Sequence, residues 1–432
     1  MRKTASLACV AFVLCLSACG PDPIPPKHQV GPHPVLPKIH QYLFPPMRVP
    51  ERAAWGNNTP AVAGGLKIQA FGKDFANPRS LYVLPNGDVL VVESDGPKEP
   101  LTRPKSLIVQ LIEGRAHSAN PAGNRIVLLR DSDGDGVPDL RTVFIDHLFH
   151  PFGVVLVGSD LYVANTDAVL RFAYHEGDTH IAGPGTKLTD LPGGPIDHHW
   201  TKSLTASPDG SKLYAGVGSN SNVMENGLEA EHERAAIWEI DRTNGAHRLY
   251  ATGTRNPNGL QFEPVTHALW AVVNERDELG PDLVPDYLTS IRDGDFYGWP
   301  YSYWGQHVDP RVRPQRPDLV ATAIEPDYSL SSHVAPLGMV FYTATTLPPH
   351  YQGGAFVGEH GSWDRSPYNG YKVVFIPFAN GHPNGMPEDV VTGFLSGDTA
   401  RGRPVGLAVD KQGALLIADD LGGVVWRVSA AP

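Results

Sequence analysis

One β-hairpin recurs along the chain. A turn holding proline or glycine opens it, an apolar alternation follows, a Pro-x-Gly-type turn reverses it, and a second apolar run closes it. The clearest copies are "NPRSLYVLPNGDVLVVES" from Asn77, "HPFGVVLVGSDLYVANTD" from His150 and "TKSLTASPDGSKLYAGVGS" from Thr201. Three more are "RNPNGLQFEPVTHALWAVVNE" from Arg255, "APLGMVFYTATTLPPHYQGGAFVGE" from Ala335 and "GRPVGLAVDKQGALLIADD" from Gly402. Period-2 alternation bounded by turn residues is a strand signal, and helical periodicity is scarce after Gly64.

A hairpin repeated six times predicts an all-β, six-bladed β-propeller with four-stranded antiparallel blades. A β-sandwich explains the alternation but not the sixfold recurrence. The stretch "GGLKIQAFGKDF" (64–75) precedes the first hairpin and reads as a spare strand that joins the last blade. In a propeller the loops entering the innermost strands crowd one mouth. His150, His199, Arg255, Asn256, His333, Arg401 and Arg403 all stand there. Three arginines and several histidines in one mouth call for a small anionic ligand.

The ends of the chain add an address. Arg2 and Lys3 precede a short apolar run ending in Leu16-Ser17-Ala18-Cys19, which reads as a lipoprotein signal peptide over 1–18, with lipidation at Cys19. Gly20 after that cysteine suits sorting to the outer membrane, with the domain facing the periplasm. Residues 19–60, as in "GPDPIPPKHQVGPHPVLPK", are proline-rich and read as an extended, lipid-anchored tether; the propeller domain then occupies 61–432. All three cysteines lie in the signal segment, so the domain is expected to hold neither a disulfide nor a cysteine metal site. The formal net charge of −11 argues against nucleic acid and against binding anionic lipid beyond the anchor.

Further motifs carry a resemblance. "HHWTKSLTASPDGSKLYAGVGSN", "RNPNGLQFEP", "NERDELGPDLVPDYL", "GDFYGWPYSYWG", "GEHGSWDRSPYNGYKVV" and "ARGRPVGLAVD" together resemble the sorbosone dehydrogenase branch of the soluble quinoprotein sugar dehydrogenases. The resemblance runs from about Gly64 to the C-terminus. It implies a six-bladed propeller that uses pyrroloquinoline quinone (PQQ) and Ca²⁺ to oxidise an aldose or a sugar aldehyde, with electrons leaving to a quinone or cytochrome. The family's catalytic histidine lies five residues before a hairpin leucine, which makes His199 the expected general base, ahead of Leu204, and His198 a neighbour. Arg255 and Asn256 match the pair that contacts the quinone, and Arg401 and Arg403 match the late pair that faces its carboxylates. Gly280-Pro281 resembles the loop whose carbonyls hold the calcium.

Two positions depart from the glucose-oxidising members. Their quinone-holding lysine has no counterpart in "VGEHGSWDR", so Arg365, or Lys372 by another route, is expected to substitute. His333 stands where they carry a small polar residue, beside cofactor and substrate. The chemistry suits these residue types. Guanidiniums pair with carboxylates in a forked geometry, and a histidine titrating near neutrality is a suitable base for a sugar hydroxyl. Asp197 or Asp167 could orient its ring.

"DSDGDGVPDLRT" (131–142) follows a calcium-loop pattern at Asp131, Asp133, Asp135 and Asp139, but Thr142 stands where a bidentate Glu is expected. A structural calcium turn is expected there. Two other functions compete for the whole chain. A calcium-dependent lactonase would gather carboxylates and asparagines about a central metal, and a non-catalytic envelope scaffold would not need His199, Arg255 and Arg401/Arg403 on one face.

Overall fold

The computed structural model describes residues 24–41, 48–98, 100 and 123–432. The signal segment and Cys19 lie outside the described residues. The fold is all-β: among the described residues the α-helix Pro317–Val320 stands alone and is a single turn.

Six antiparallel sheets of four or five strands follow one another along the chain. Each begins with one of the hairpins. Their first strands are Pro78–Val83, Gly153–Val157, Leu204–Ala206, Asn256–Phe262, Pro336–Phe341 and Pro404–Val409. Each of these touches the first strand of the next sheet, and Pro404–Val409 touches Pro78–Val83. The second strands are buried on both faces; in Val89–Glu93, Leu269–Asn274 and Leu415–Asp419 every residue is buried. An apolar cluster fills each gap between consecutive sheets, for example Leu90, Val92, Val154 and Val163 between the first two. Phe71, Leu81, Val89, Leu416 and Val425 fill the gap between the last and the first.

The last sheet draws on both ends of the domain. Leu66–Gly72 pairs antiparallel with Val424–Ala430, so the spare strand is its fourth member. The described part of the proline-rich segment is extended, as expected, and is also docked. Val30–Gly31 adds to the edge of Tyr328–Ser332, Glu51–Arg52 runs beside Thr399–Ala400, and Ala61–Val62 pairs with Val391 and Thr392. Proline is compatible with such edge positions because an edge strand needs only some of its N–H groups. Trp55 is buried, its indole N–H donating to Asp419 at 2.7 Å, and Phe394 and Trp426 meet it edge-on.

Candidate active site

The loops that enter the first strands bring the polar residues together. Gly193–Leu204 carries the histidine doublet between the second sheet and the third. The imidazole Nδ1 of His199 lies 2.8 Å from the Ser219 carbonyl and 3.1 Å from the Ser219 hydroxyl, which itself donates to the Ser221 carbonyl. Both partners accept, so Nδ1 carries the proton and Nε2 keeps the lone pair. Burial, then Arg255 and His198, hold the His199 pKa well below that of a free imidazole. The ring is held neutral near pH 7. The His198 ring meets it at 4.6 Å, edge to face, and acts electrostatically on Glu225 and Asp277.

Neither carboxylate proposed to orient the ring does so. Asp197 pairs with Arg234 at 2.5 Å, both side chains 2% exposed, and also takes the Gly194 N–H. Ser219 orients His199 instead, and its own N–H donates to the Arg255 carbonyl. Lys202 is fully buried under the same turn, its ammonium 3.4 Å from the His199 carbonyl and 3.1 Å from that of Trp200. Burial and Arg234 lower its pKa to about 7.

Arg255 is buried and its donors meet protein groups. They reach the carbonyls of Asn222, Asn274 and Glu275 and the Asn222 side chain, and Asp277 stands 3.6 Å away. It therefore offers a ligand positive field more than spare N–H groups. Asn256 is buried beside it, its Oδ1 without a hydrogen-bond partner. A Cβ on Gly218 would lie 2.4 Å from the His199 Cβ and 2.5 Å from the Asn256 Oδ1, so glycine there lets the two approach.

Asp277 leads to the loop expected to hold calcium. His333 Nδ1 is 3.2 Å from Asp277 Oδ1, and its Nε2 is 3.1 Å from the Gly280 carbonyl. The Pro281 carbonyl accepts from the Ser332 hydroxyl at 3.0 Å. Each carbonyl keeps a second lone pair, so both suit a hard cation. Burial opposes charge on His333, but Asp277 raises its pKa to about 9. Asp364 joins this group: a carboxylate oxygen of Asp277, one of Asp364 and a His333 nitrogen lie within 4.8 Å of one another. Arg365 reaches Ser332, Asp282 and the Gln29 side chain of the docked N-terminal segment. Lys372 pairs with Asp389 at 2.6 Å on the outer strands.

The late arginines divide. Arg403 pairs with Asp420 at 3.1 Å, and Arg79 and His360 converge on the same carboxylate. Against the burial that would raise it, Arg403, His360 and Arg79 hold the Asp420 carboxyl far below the usual range. Arg401 lies next to this group in sequence, with a buried Nε that has no partner. Arg79 also lies over the Trp200 ring, 5.6 Å from its centroid, linking this basic cluster to the histidine turn. His150 stands on the same turn's other flank, its Nδ1 2.6 Å from the Asp95 carbonyl.

The 131–142 loop lies between Arg125–Arg130 and Leu140–Ile145, separate from these residues. Asp131, Asp133 and Asp139 converge there, but Asp135 turns to the Val137 N–H and does not join them. All four carboxylates accept N–H groups of the loop itself.

Sequence reasoning passed over Ser219, Asp277, Asp364, Lys202, Arg79, His360 and Asp420. Asp277, His360 and Asp364 stand inside motifs already quoted; only their convergence from distant loops marks them out.

Comparison with known proteins bears on the family and the fold. The family model "Glucose / Sorbosone dehydrogenase" matches residues 158–361, and the model "TrAA12-like" matches 318–431. An uncharacterized protein of Borreliella burgdorferi is 29% identical over 241 residues, 55% of this chain; the chain spans 62% of that relative's length. The holo PQQ domain of pyranose dehydrogenase from Coprinopsis cinerea superposes with a TM-score of 0.70 at 20% identity, covering 89% of this chain and all of that one. The calcium structure of the Trichoderma reesei enzyme of carbohydrate-active family AA12 gives 0.69 at 19% identity, over 86% of this chain and 97% of that one. Over residues 158–361 the chain thus matches the glucose/sorbosone dehydrogenase family, on an all-β fold shared with PQQ-dependent sugar dehydrogenases.

Proposed function

We propose that the protein is a six-bladed β-propeller enzyme that oxidises a sugar or sugar aldehyde with PQQ and calcium. The observation that carries this reading is the pairing of His199 with Arg255 across Ser219. A neutral imidazole of fixed tautomer has a buried guanidinium beside it, and Arg79 over Trp200 links the same turn to Arg403 through Asp420. Arginines suit a cofactor with three carboxylates better than a hydrolase's metal-bound water does. The pyranose dehydrogenase domain and the calcium-containing relative support the same cofactor pair.

The residues present fit both groups. Asn256 Oδ1 and Arg401 Nε are buried polar atoms awaiting a partner, and Arg403 and Arg79 share a single carboxylate. Gly280 and Pro281 offer the calcium their carbonyls. When bound, PQQ supplies an electrophilic ortho-quinone that accepts a hydride. His199 Nε2 takes the proton of the substrate hydroxyl as the hydride departs, while the Ser219 carbonyl, hydrogen-bonded to Nδ1–H, steadies the imidazolium that forms. The positive field of Arg255 favours negative charge arising on the acceptor side. An aldehyde substrate reacts as its hydrate, which presents the same H–C–O–H unit.

Cleavage before Cys19 and lipidation of its thiol would hold this enzyme at the outer membrane, facing the periplasm, with residues 61–432 as the catalytic domain and a quinone or cytochrome as electron acceptor. The test is reconstitution. Purified protein with PQQ and Ca²⁺ is expected to reduce a dye in the presence of an aldose or osone. No bound quinone and no reduction with any such sugar would overturn the reading.

A further inference from the structure

Asp277, His333 and Asp364 meet from three separate loops, and no step above uses them together. The geometry points to a mixed nitrogen–oxygen site for a first-row transition dication, Zn²⁺ in type, held by Asp277, His333 Nδ1 and Asp364.

Three observations carry it. First, the spacing is that of ligands around one ion. His333 Nδ1 and Asp277 Oδ1 stand 3.2 Å apart. Two donors each about 2.1 Å from a metal lie at that separation when the angle between them is roughly 100°. The three atoms lie within 4.8 Å of one another; tetrahedral donors about 2.1 Å from a metal stand about 3.4 Å apart, so an ion would draw the set together by at most about 1.4 Å.

Second, Asp364 is 5% exposed and its Oδ1 has no hydrogen-bond partner among the described residues. A buried carboxylate oxygen facing a second carboxylate is costly unless a cation joins them.

Third, the outer contacts are those of a metal-bound histidine. His333 Nε2–H donates to the Gly280 carbonyl at 3.1 Å, which leaves Nδ1 free to ligate and fixes the ring plane. Arg255 lies 3.6 Å from the other Asp277 oxygen and holds that carboxylate from behind. An imidazole with two carboxylates suits zinc-like ions more than calcium, which takes six to eight oxygens. The site is separate from the Gly280 and Pro281 carbonyls proposed for calcium: Gly280 here steadies the ligand. It needs neither quinone nor sugar.

The test uses the full chain, stripped with a chelator and titrated with Zn²⁺ and with Ca²⁺ in the absence of PQQ. One Zn²⁺ per chain is expected, at least tenfold tighter than Ca²⁺ at the same site. Asp364→Asn and His333→Gln should each weaken Zn²⁺ at least tenfold, whereas Asp131→Asn should not. Co²⁺ added to the unaltered protein should give visible d–d bands that Zn²⁺ displaces, a readout that does not depend on any variant folding. Unchanged Zn²⁺ binding in both site variants, a preference for Ca²⁺, or no Co²⁺ spectrum would overturn the site. Because no sugar or dye enters the titration, its outcome is independent of the dehydrogenase test.

Discussion

Arg234 and Asp197 form an ion pair 2.5 Å long in which both side chains are 2% exposed, directly before the histidine doublet. Arg234 also donates to the carbonyls of Pro192 and Gly218, so one guanidinium joins the start of the histidine turn to the glycine behind His199. Asp197→Ala should cost about 3–5 kcal/mol because it strands a buried charge. Urea denaturation checks this, with Asp160→Ala, at a half-exposed pair, losing about 1 kcal/mol or less.

His199→Ala should lower turnover by ~10²–10⁴-fold while leaving quinone binding largely intact. His198→Ala should have a much smaller effect. Because burial and Arg255 hold the His199 pKa well below 6.5, the acidic limb of kcat/KM should also fall below pH 6.5. An acidic limb near pH 7 that His199→Ala leaves in place would point to another base.

Lys202 makes stability depend on pH in a particular direction. Its ordinary pKa is 10.5 and burial lowers it to about 7, so between these values the unfolded chain holds a proton that the folded one lacks. Stability from this group therefore rises with pH from 7 to 10.5, and its penalty is fully present below 7. The stability difference between wild type and Lys202→Met should move in favour of wild type across that window, by at most about 1.4 kcal/mol per pH unit. A flat difference would show that the ammonium is solvated.

Gly218→Ala should displace His199 from Asn256, since the added methyl carbon would sit within 2.5 Å of both. Overpacking of this kind costs ~1–3 kcal/mol. Turnover should fall more than stability does, as a comparison of thermal unfolding with dye reduction would show.

Trp55→Phe removes one of two indole donors on Asp419 Oδ2; Trp426 supplies the other at 3.1 Å. Leaving that buried carboxylate short of a partner should cost ~1–3 kcal/mol. Limited proteolysis should then cut the docked N-terminal segment sooner than in wild type.

The sheets were legible because each hairpin carries its own evidence. "PNGD" and "SPDG" are turns by local chemistry, and the runs beside them bury alternate or continuous residues whatever their neighbours do. The N-terminal segment was half legible. Its prolines announce an extended chain, but not that Gln29 would meet Arg365 and Asp282, some 250 residues or more away in sequence. The site followed the same divide. His199 is expected over His198 from the family resemblance, through its five-residue distance from Leu204. Its orientation by Ser219 instead of Asp197 depends on how the third sheet's second strand exits, which no spacing records. Asp277 and Asp364 stand in quoted motifs with no role assigned by sequence, and only the return of the His333 loop brings them together. Arg365 and Lys372 show the converse: a cation in the right motif can be consumed by the nearest carboxylate.

The strand Leu66–Gly72 waits for Val424–Ala430, and the Ala431 N–H donates to the Gly65 carbonyl at 2.8 Å. A strand made early therefore has no partner until Val424–Ala430 has been made. No nascent chain that stops short of Val424–Ala430 can complete this sheet. The same adjacency brings Gly65 and Ala431 within one hydrogen bond, so a short peptide could join these ends and new termini could be opened in an exposed turn such as that at Gly158. Such a rearranged chain would keep the pairing of Leu66–Gly72 with Val424–Ala430 but lose the edge strands Val30–Gly31 and Ala61–Val62, which precede Gly65.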